Sequence, residues 1–323
     1  MNKLALIVPY FGTFPNYFQL FLNSCEINSD ICDWLIYTDD KRNFNYPENV
    51  YVKFCSFSDI QKRIKEKVPC ECSIENPYKL CDYKPAYGLI FEETLVGYDF
   101  WGHCDVDVIF GKLSNFITDD ILENDKLFRL GHLCFYKNNH SNNSRFMMPI
   151  EGIYRFREVF SNPQNCIFDE ANEYGTLTIE DIWSYYNFSS YTNDNIIANV
   201  YYKSNHLQLT FQEDGYKFRN EKKIRNVFLW DKDGLVRYSV NKRTLKKEEF
   251  LYIHMMKRKM NVNCMMDSKK LKIISNSFEP IDEHPNDAEQ FYKEKYHTFN
   301  CQYFRVRFNN LKFKLRKRFL THG

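Results

Sequence analysis

The first hundred residues carry a rhythm that few folds can satisfy. Leu4–Tyr10 (LALIVPY) is an unbroken apolar run of strand length, and Asp33–Asp40 (DWLIYTDD) is a second that ends in two acids. Asn49–Phe57 (NVYVKFCSF) reads as a third strand. Helical stretches alternate with them: Tyr17–Cys25, Ser58–Val68, whose first Ser or Asp suits a cap, and Tyr83–Leu95, where Pro85 falls in a first turn. A strand that is apolar at nearly every position must be buried on both faces. Parallel neighbours need long crossovers, and helices between strands supply both crossover and cover. The expected fold is α/β, a Rossmann-type, mainly parallel sheet with helices on both faces. In such sheets ligands bind beyond the carboxyl ends of the strands.

The second half is less regular. Lys126–Asn138 (KLFRLGHLCFYKN) reads as one strand and Phe168–Gly175 (FDEANEYG) as a loop or helix start. Val227–Val240 reads as a small antiparallel hairpin with Asp-Gly at its turn, and Phe250–Met260 (FLYIHMMKRKM) as a strand running into basic residues. The tail differs in kind. Residues 305–318 hold seven Lys or Arg and no acid, and Phe304, Phe308, Leu311, Leu315 and Phe319 follow helical spacing. A C-terminal basic amphipathic helix is expected there, of a type that can lie on an anionic membrane surface.

Composition removes several classes of function. A net charge of +2 over 323 residues is no nucleic-acid signature. The opening apolar run is too short for a secretion signal or a span, so a cytoplasmic protein is expected, peripheral on the inner face of the membrane if the tail binds there. The eleven cysteines lack paired CxxC knuckles, which argues against a zinc site and for reduced thiols.

Tyr98–Gly111 (YDFWGHCDVDVIFG) then poses the chemical question. Asp105 and Asp107 close an apolar run where a buried strand should finish. At i and i+2 on a strand they would share a face. Two such carboxylates suit a hard divalent cation that keeps other positions for water and phosphate oxygens. Asp231 and Asp233 repeat the spacing in DKDG, where a hairpin turn accounts for them.

The order of strand, helix, strand ending in acids, basic helix start and then DVD resembles the nucleotide-sugar glycosyltransferases of GT-A fold. Cys81–Leu113 (CDYKPAYGLIFEETLVGYDFWGHCDVDVIFGKL) is similar to the glycogenin-like and bacterial galactosyltransferase branch, with Lys84 in the basic position. The set CDYKPAYG, DxD, FDE and a late H..KR also looks similar to uncharacterised bacterial polysaccharide-locus proteins. The resemblance covers roughly residues 1–260. It implies a donor-binding half at 1–125, an acceptor-side half of the same domain at 126–300 and the tail at 301–323.

The resemblance also implies roles. Pro9, Tyr10 and Phe11 would hold the nucleotide base, Asp39 the base or ribose, and Lys84 the ribose or phosphate. Asp105 would touch the sugar or ribose and bridge to Mn²⁺ or Mg²⁺. Asp107 and His254 would complete the metal shell, and Lys257 and Arg258 would touch the diphosphate. Asp169 and Glu170 of FDE would supply a catalytic carboxylate. The implied activity is transfer of a hexose from a nucleotide diphosphate sugar, a UDP-sugar, to a hydroxyl of an oligosaccharide or lipid-linked glycan in surface polysaccharide synthesis. The polar WGHC before the motif and the missing NAG-type loop after it depart from that branch, so stereochemistry does not carry over. Two rivals remain: an inactive glycan- or membrane-binding protein of the same fold, and a nucleotidyltransferase.

Overall fold

The computed structural model describes residues 2–298, apart from 202, 205, 214–216 and 257, together with 304, 308, 311 and 312. At its centre β1 (Leu4–Tyr10), β2 (Cys32–Thr38), β3 (Val50–Phe54) and β4 (Phe100–Cys104) run parallel in the order β3-β2-β1-β4. Leu4, Leu6, Val8, Trp34 and Ile36 pack into one face, while Ala5, Ile7, Leu35 and Tyr37 pack into the other. Both faces are buried, which is why these runs are apolar throughout. The strand order reverses between β1 and β4, and a crevice opens beyond their carboxyl ends.

After β4 the chain forms β5 (Val108–Phe110), which leaves this sheet. Residues 126–138, expected as one strand, form two: β6 (Lys126–Leu130) and β7 (Leu133–Lys137), antiparallel around Gly131 and His132. The register shifts between Leu127 and Leu130, where Phe128 takes φ 66°. β7 pairs antiparallel with β4, and β8 (Ser190–Tyr191) closes the far edge beside β6, so seven strands complete a largely parallel sheet.

Its two faces are covered unequally. Helices at Phe57–Lys67, Leu80–Tyr83, Arg155–Ser161 and Ile179–Tyr185 pack on one face. Ser56 caps the first of these with a reciprocal Asp59 box, slightly ahead of the expected start. The other face carries one helix, Phe18–Glu26, and a small sheet rather than further helices. That sheet joins β5, β9 (Ile197–Asn199) and β15 (Tyr252–His254) in the order β5-β15-β9. Residues 83–95 form a broken string of short helical turns instead of one helix. Gly111 and Lys112 open only a single turn at Leu113–Asn115.

The expected hairpin sits inside a larger structure. Between β9 and β15 run β10 (Thr210–Gln212), β11 (Phe218–Asn220), β12 (Asn226–Asp231), β13 (Gly234–Asn241) and β14 (Thr244–Phe250). β16 (Asn261–Val262), β17 (Lys270–Ile274) and β18 (Ser277–Glu279) follow. Six of these strands form a mostly antiparallel sheet, β14-β13-β12-β17-β18-β16. Asp231 Oδ1 accepts from Asp233 N at 2.9 Å, a turn bond, so the second DxD is structural. The tail lies mostly outside the described residues; Phe304, Phe308 and Leu311 are exposed. Among the described residues no helix is long and apolar enough to cross a membrane.

Candidate metal and carboxylate site

Asp105 and Asp107 are not on a strand. β4 ends at Cys104 and β5 starts at Val108, and the two acids occupy the bend between them. The bend is clamped from two sides: Asp105 N donates to His132 O at 3.2 Å, and Met255 N donates to Asp107 O at 2.9 Å. β5 pairs with β15 so that Val108 faces His254, which brings the His254 ring to the acids. His254 Nε2 lies 3.4 Å from Asp107 Oδ1. One ligand atom each from Asp105, Asp107 and His254 fall within 4.8 Å of one another.

The far side of the imidazole is fixed too. His254 Nδ1 is 3.0 Å from Asn199 Oδ1, and β9 places Asn199 opposite His254. An amide oxygen only accepts, so Nδ1 carries a proton and Nε2 is the nitrogen directed at the acids. His132 stacks on His254 at 4.2 Å and holds the Tyr252 hydroxyl at 2.6 Å through Nδ1. Burial works against charging His254, but the charge and hydrogen bond of Asp107, with Asp105 and Glu170 behind it, together prevail and the pKa is raised. Burial, with His254 and Lys84 nearby, pushes His132 well below its ordinary value. Two carboxylates and one oriented imidazole could hold a divalent cation.

Lys84 ties this corner to a second pair of acids. Its ammonium donates to Asp105 Oδ1 at 2.8 Å and to Gly131 O at 2.7 Å, and lies 3.3 Å from Asp169 Oδ2. Gly131 N donates to Glu170 Oε2 at 3.0 Å. The β6–β7 turn therefore binds the lysine with its carbonyl and Glu170 with its amide. An ideal Cβ on Gly131 would lie 2.7 Å from Asp169 Oδ2, so glycine is required by this approach. Asp169 does not cap a helix. It is buried, and burial pushes its pKa up to about 7 despite the pull of Lys84. Burial alone would lower Lys84, but Asp105, Cys81 and Asp169 hold it well above its ordinary value. Lys84 pairs with Asp105 and Asp169, while Asp107 and Glu170 bring two further carboxylates to the same corner.

The loop that delivers Asp169 is held by the CDYK segment itself. Asp82 Oδ2 accepts from Cys166 N at 2.8 Å and Oδ1 from Phe168 N at 3.0 Å. Ile167 between them takes φ 55°, a costly conformation for a β-branched residue. Lys79, fully buried, neutralises Asp82 at 2.7 Å.

A cleft of about 870 Å³ opens beside this corner. Pro9, Tyr10, Phe11, Tyr17 and Tyr78 line it, with Lys84, Asp105, Asp107 and Arg258. Burial and then Asp107 raise the pKa of Tyr10. Three of the residues expected to contact the donor have partners within the protein. Asp39 is not part of this lining; its Oδ1 accepts from Gly12 N at 2.8 Å and pins the loop after β1. Arg258 is buried, with its terminal nitrogens bonded to Asn276, Tyr201 and Ser204. Lys84 spends its ammonium on Asp105, Asp169 and Gly131. Lys257 lies outside the described residues. Sequence reasoning missed Asn199, Tyr252 and the Lys79–Asp82 pair. Only Asp82 had a signal, its place in the CDYK motif.

Residues 6–282 match the model of a family of unknown function (DUF6625), and the chain belongs to that family. No curated protein matches it.

Proposed function

We propose that this DUF6625 member is a metal-dependent glycosyltransferase that moves a hexose from a nucleotide diphosphate sugar, a UDP-sugar, to a hydroxyl of a glycan. The observation that carries the reading is the convergence of Asp105, Asp107 and His254 at the mouth of an aromatic-walled cleft, one lysine away from a buried carboxylate poised near neutrality. The strand order β3-β2-β1-β4 and the crevice beyond it support the GT-A-like part of the reading.

Asp105, Asp107 and His254 would hold Mn²⁺ or Mg²⁺. When bound, the ion supplies Lewis-acid neutralisation of the donor's diphosphate. Tyr10 and Phe11 offer flat apolar surface to a base. Asp169 is the base we assign. With a pKa near 7 it is substantially ionised at neutral pH and still basic enough to take the proton of an acceptor hydroxyl at a carboxylate oxygen. Glu170, held by Gly131 N, positions that loop. Lys84 keeps Asp105 and Asp169 at a fixed separation. Exposed Phe304, Phe308 and Leu311 suit a tail that seats the enzyme on an anionic membrane surface beside a lipid-linked acceptor.

The test is thermal stability against UDP-, GDP-, CMP- and dTDP-sugars with and without Mn²⁺, for the native chain and Asp107→Ala. A metal-dependent shift with one nucleotide class, lost in the variant, supports the reading and names the donor class. No shift with any of them in folded protein overturns it in favour of a binding protein without transferase chemistry.

A further inference from the structure

A second, smaller cavity of about 440 Å³ lies behind the carboxylate loop. Its walls include Arg129, Asp194, Phe211, Gln212, Glu213 and Arg219. Gln212 Nε2 donates to Ala171 O at 3.1 Å, one residue past Glu170. Arg129 sits two residues before Gly131, whose amide holds Glu170.

The chemistry of the wall narrows the ligand. Arg129 donates through Nε at 3.2 Å and Nη2 at 2.7 Å to Asp194 Oδ2, and Nη2 also reaches Gln212 O at 3.1 Å. Both bonds to Asp194 use Oδ2, which leaves Oδ1 outside the pair. Arg219 pairs with Glu213 and lies over the Phe211 ring at 5.9 Å. Each cation has its own anion, so the cavity carries no net charge from these residues. An anionic ligand would need an unmatched cation here, and an apolar one a more apolar wall. Charged donors and acceptors side by side, next to an aromatic ring, suit a neutral polyhydroxyl ring.

We propose that this cavity is a subsite for a neutral sugar of the acceptor glycan. It rests on the transferase reading, with the donor in the larger cleft and the acceptor arriving from the other side of the loop that carries Asp169 and Glu170.

The experiment is saturation-transfer NMR on the full chain with glucose, galactose, N-acetylglucosamine and glucuronate, with and without UDP and Mn²⁺. Asp194→Asn and the solvent-exposed Arg219→Ala are the variants, the second guarding against a folding defect in the first. The expected result is saturation of a neutral sugar that UDP does not displace, with binding about tenfold weaker in the variants, the loss of one charged hydrogen bond. Saturation that both variants leave unchanged, preference for glucuronate, or no saturation in a protein that binds UDP with Mn²⁺ overturns the subsite. Variant-sensitive saturation in a protein that ignores UDP and Mn²⁺ upholds the sugar site and removes the transferase reading instead.

Discussion

Asp169→Asn probes the environment on which the chemistry depends. The Asp169 carboxyl is buried, and its pKa rises from 3.8 to about 7, with burial the largest cause and Lys84 opposing it. A carboxyl whose folded pKa exceeds its unfolded value holds its proton more tightly when folded. Its contribution to stability is complete below the unfolded value and is lost as pH rises through the folded one. The loss runs at about 1.36 kcal/mol per pH unit while only the unfolded chain is ionised, and it tapers off above about pH 7. Between about pH 5 and about pH 8 it amounts to roughly 2.6 kcal/mol. The native protein should therefore lose about that much stability relative to Asp169→Asn over this range, because an amide does not titrate. Urea unfolding of both proteins in EDTA, at several pH values, reads the difference directly. Parallel stability curves would show Asp169 to be an ordinary ionised carboxylate and would remove it as a base tuned to neutral pH.

Three further outcomes follow from the same contacts. Asn199→Leu removes the acceptor that orients His254 and should weaken Mn²⁺ binding by about 10–100-fold, read by the free Mn²⁺ signal in paramagnetic resonance titration, and should cost about 1–3 kcal/mol of stability in EDTA through the stranded Nδ1–H. Asp82→Asn strands the fully buried Lys79 charge and should cost about 3–5 kcal/mol in urea unfolding. Gly131→Ala places a methyl against Asp169 and should cost about 1–3 kcal/mol, and a fully stable variant would mean that the β6–β7 turn does not constrain the carboxylate.

The parallel core was legible from the chain alone. Runs such as LALIVPY and DWLIYTDD bury both faces, and burial on both faces leaves few architectures. The DVD segment was legible as a place where acids interrupt an apolar run, and FDE stood out through the resemblance. The rest was not, because its partners are set by register and turn geometry between distant segments. The strand expected over residues 126–138 folds back at Gly131, and only that reversal gives Lys84 a carbonyl and Glu170 an amide. The larger antiparallel sheet grows from strands of two to eight residues whose pairing no local period announces. Asp105 and Asp107 were expected to converge as strand neighbours. They converge because a bend is clamped by β15 and the β6–β7 turn. By itself the sequence determined the layered α/β core and the residue types of the site, since hydrophobic periodicity and charge placement are local properties. The tertiary structure alone decided which carboxylate is buried beside Lys84, which histidine nitrogen faces the acids, and that Arg258 bonds to Asn276, Tyr201 and Ser204, since each depends on atoms brought together from remote parts of the chain.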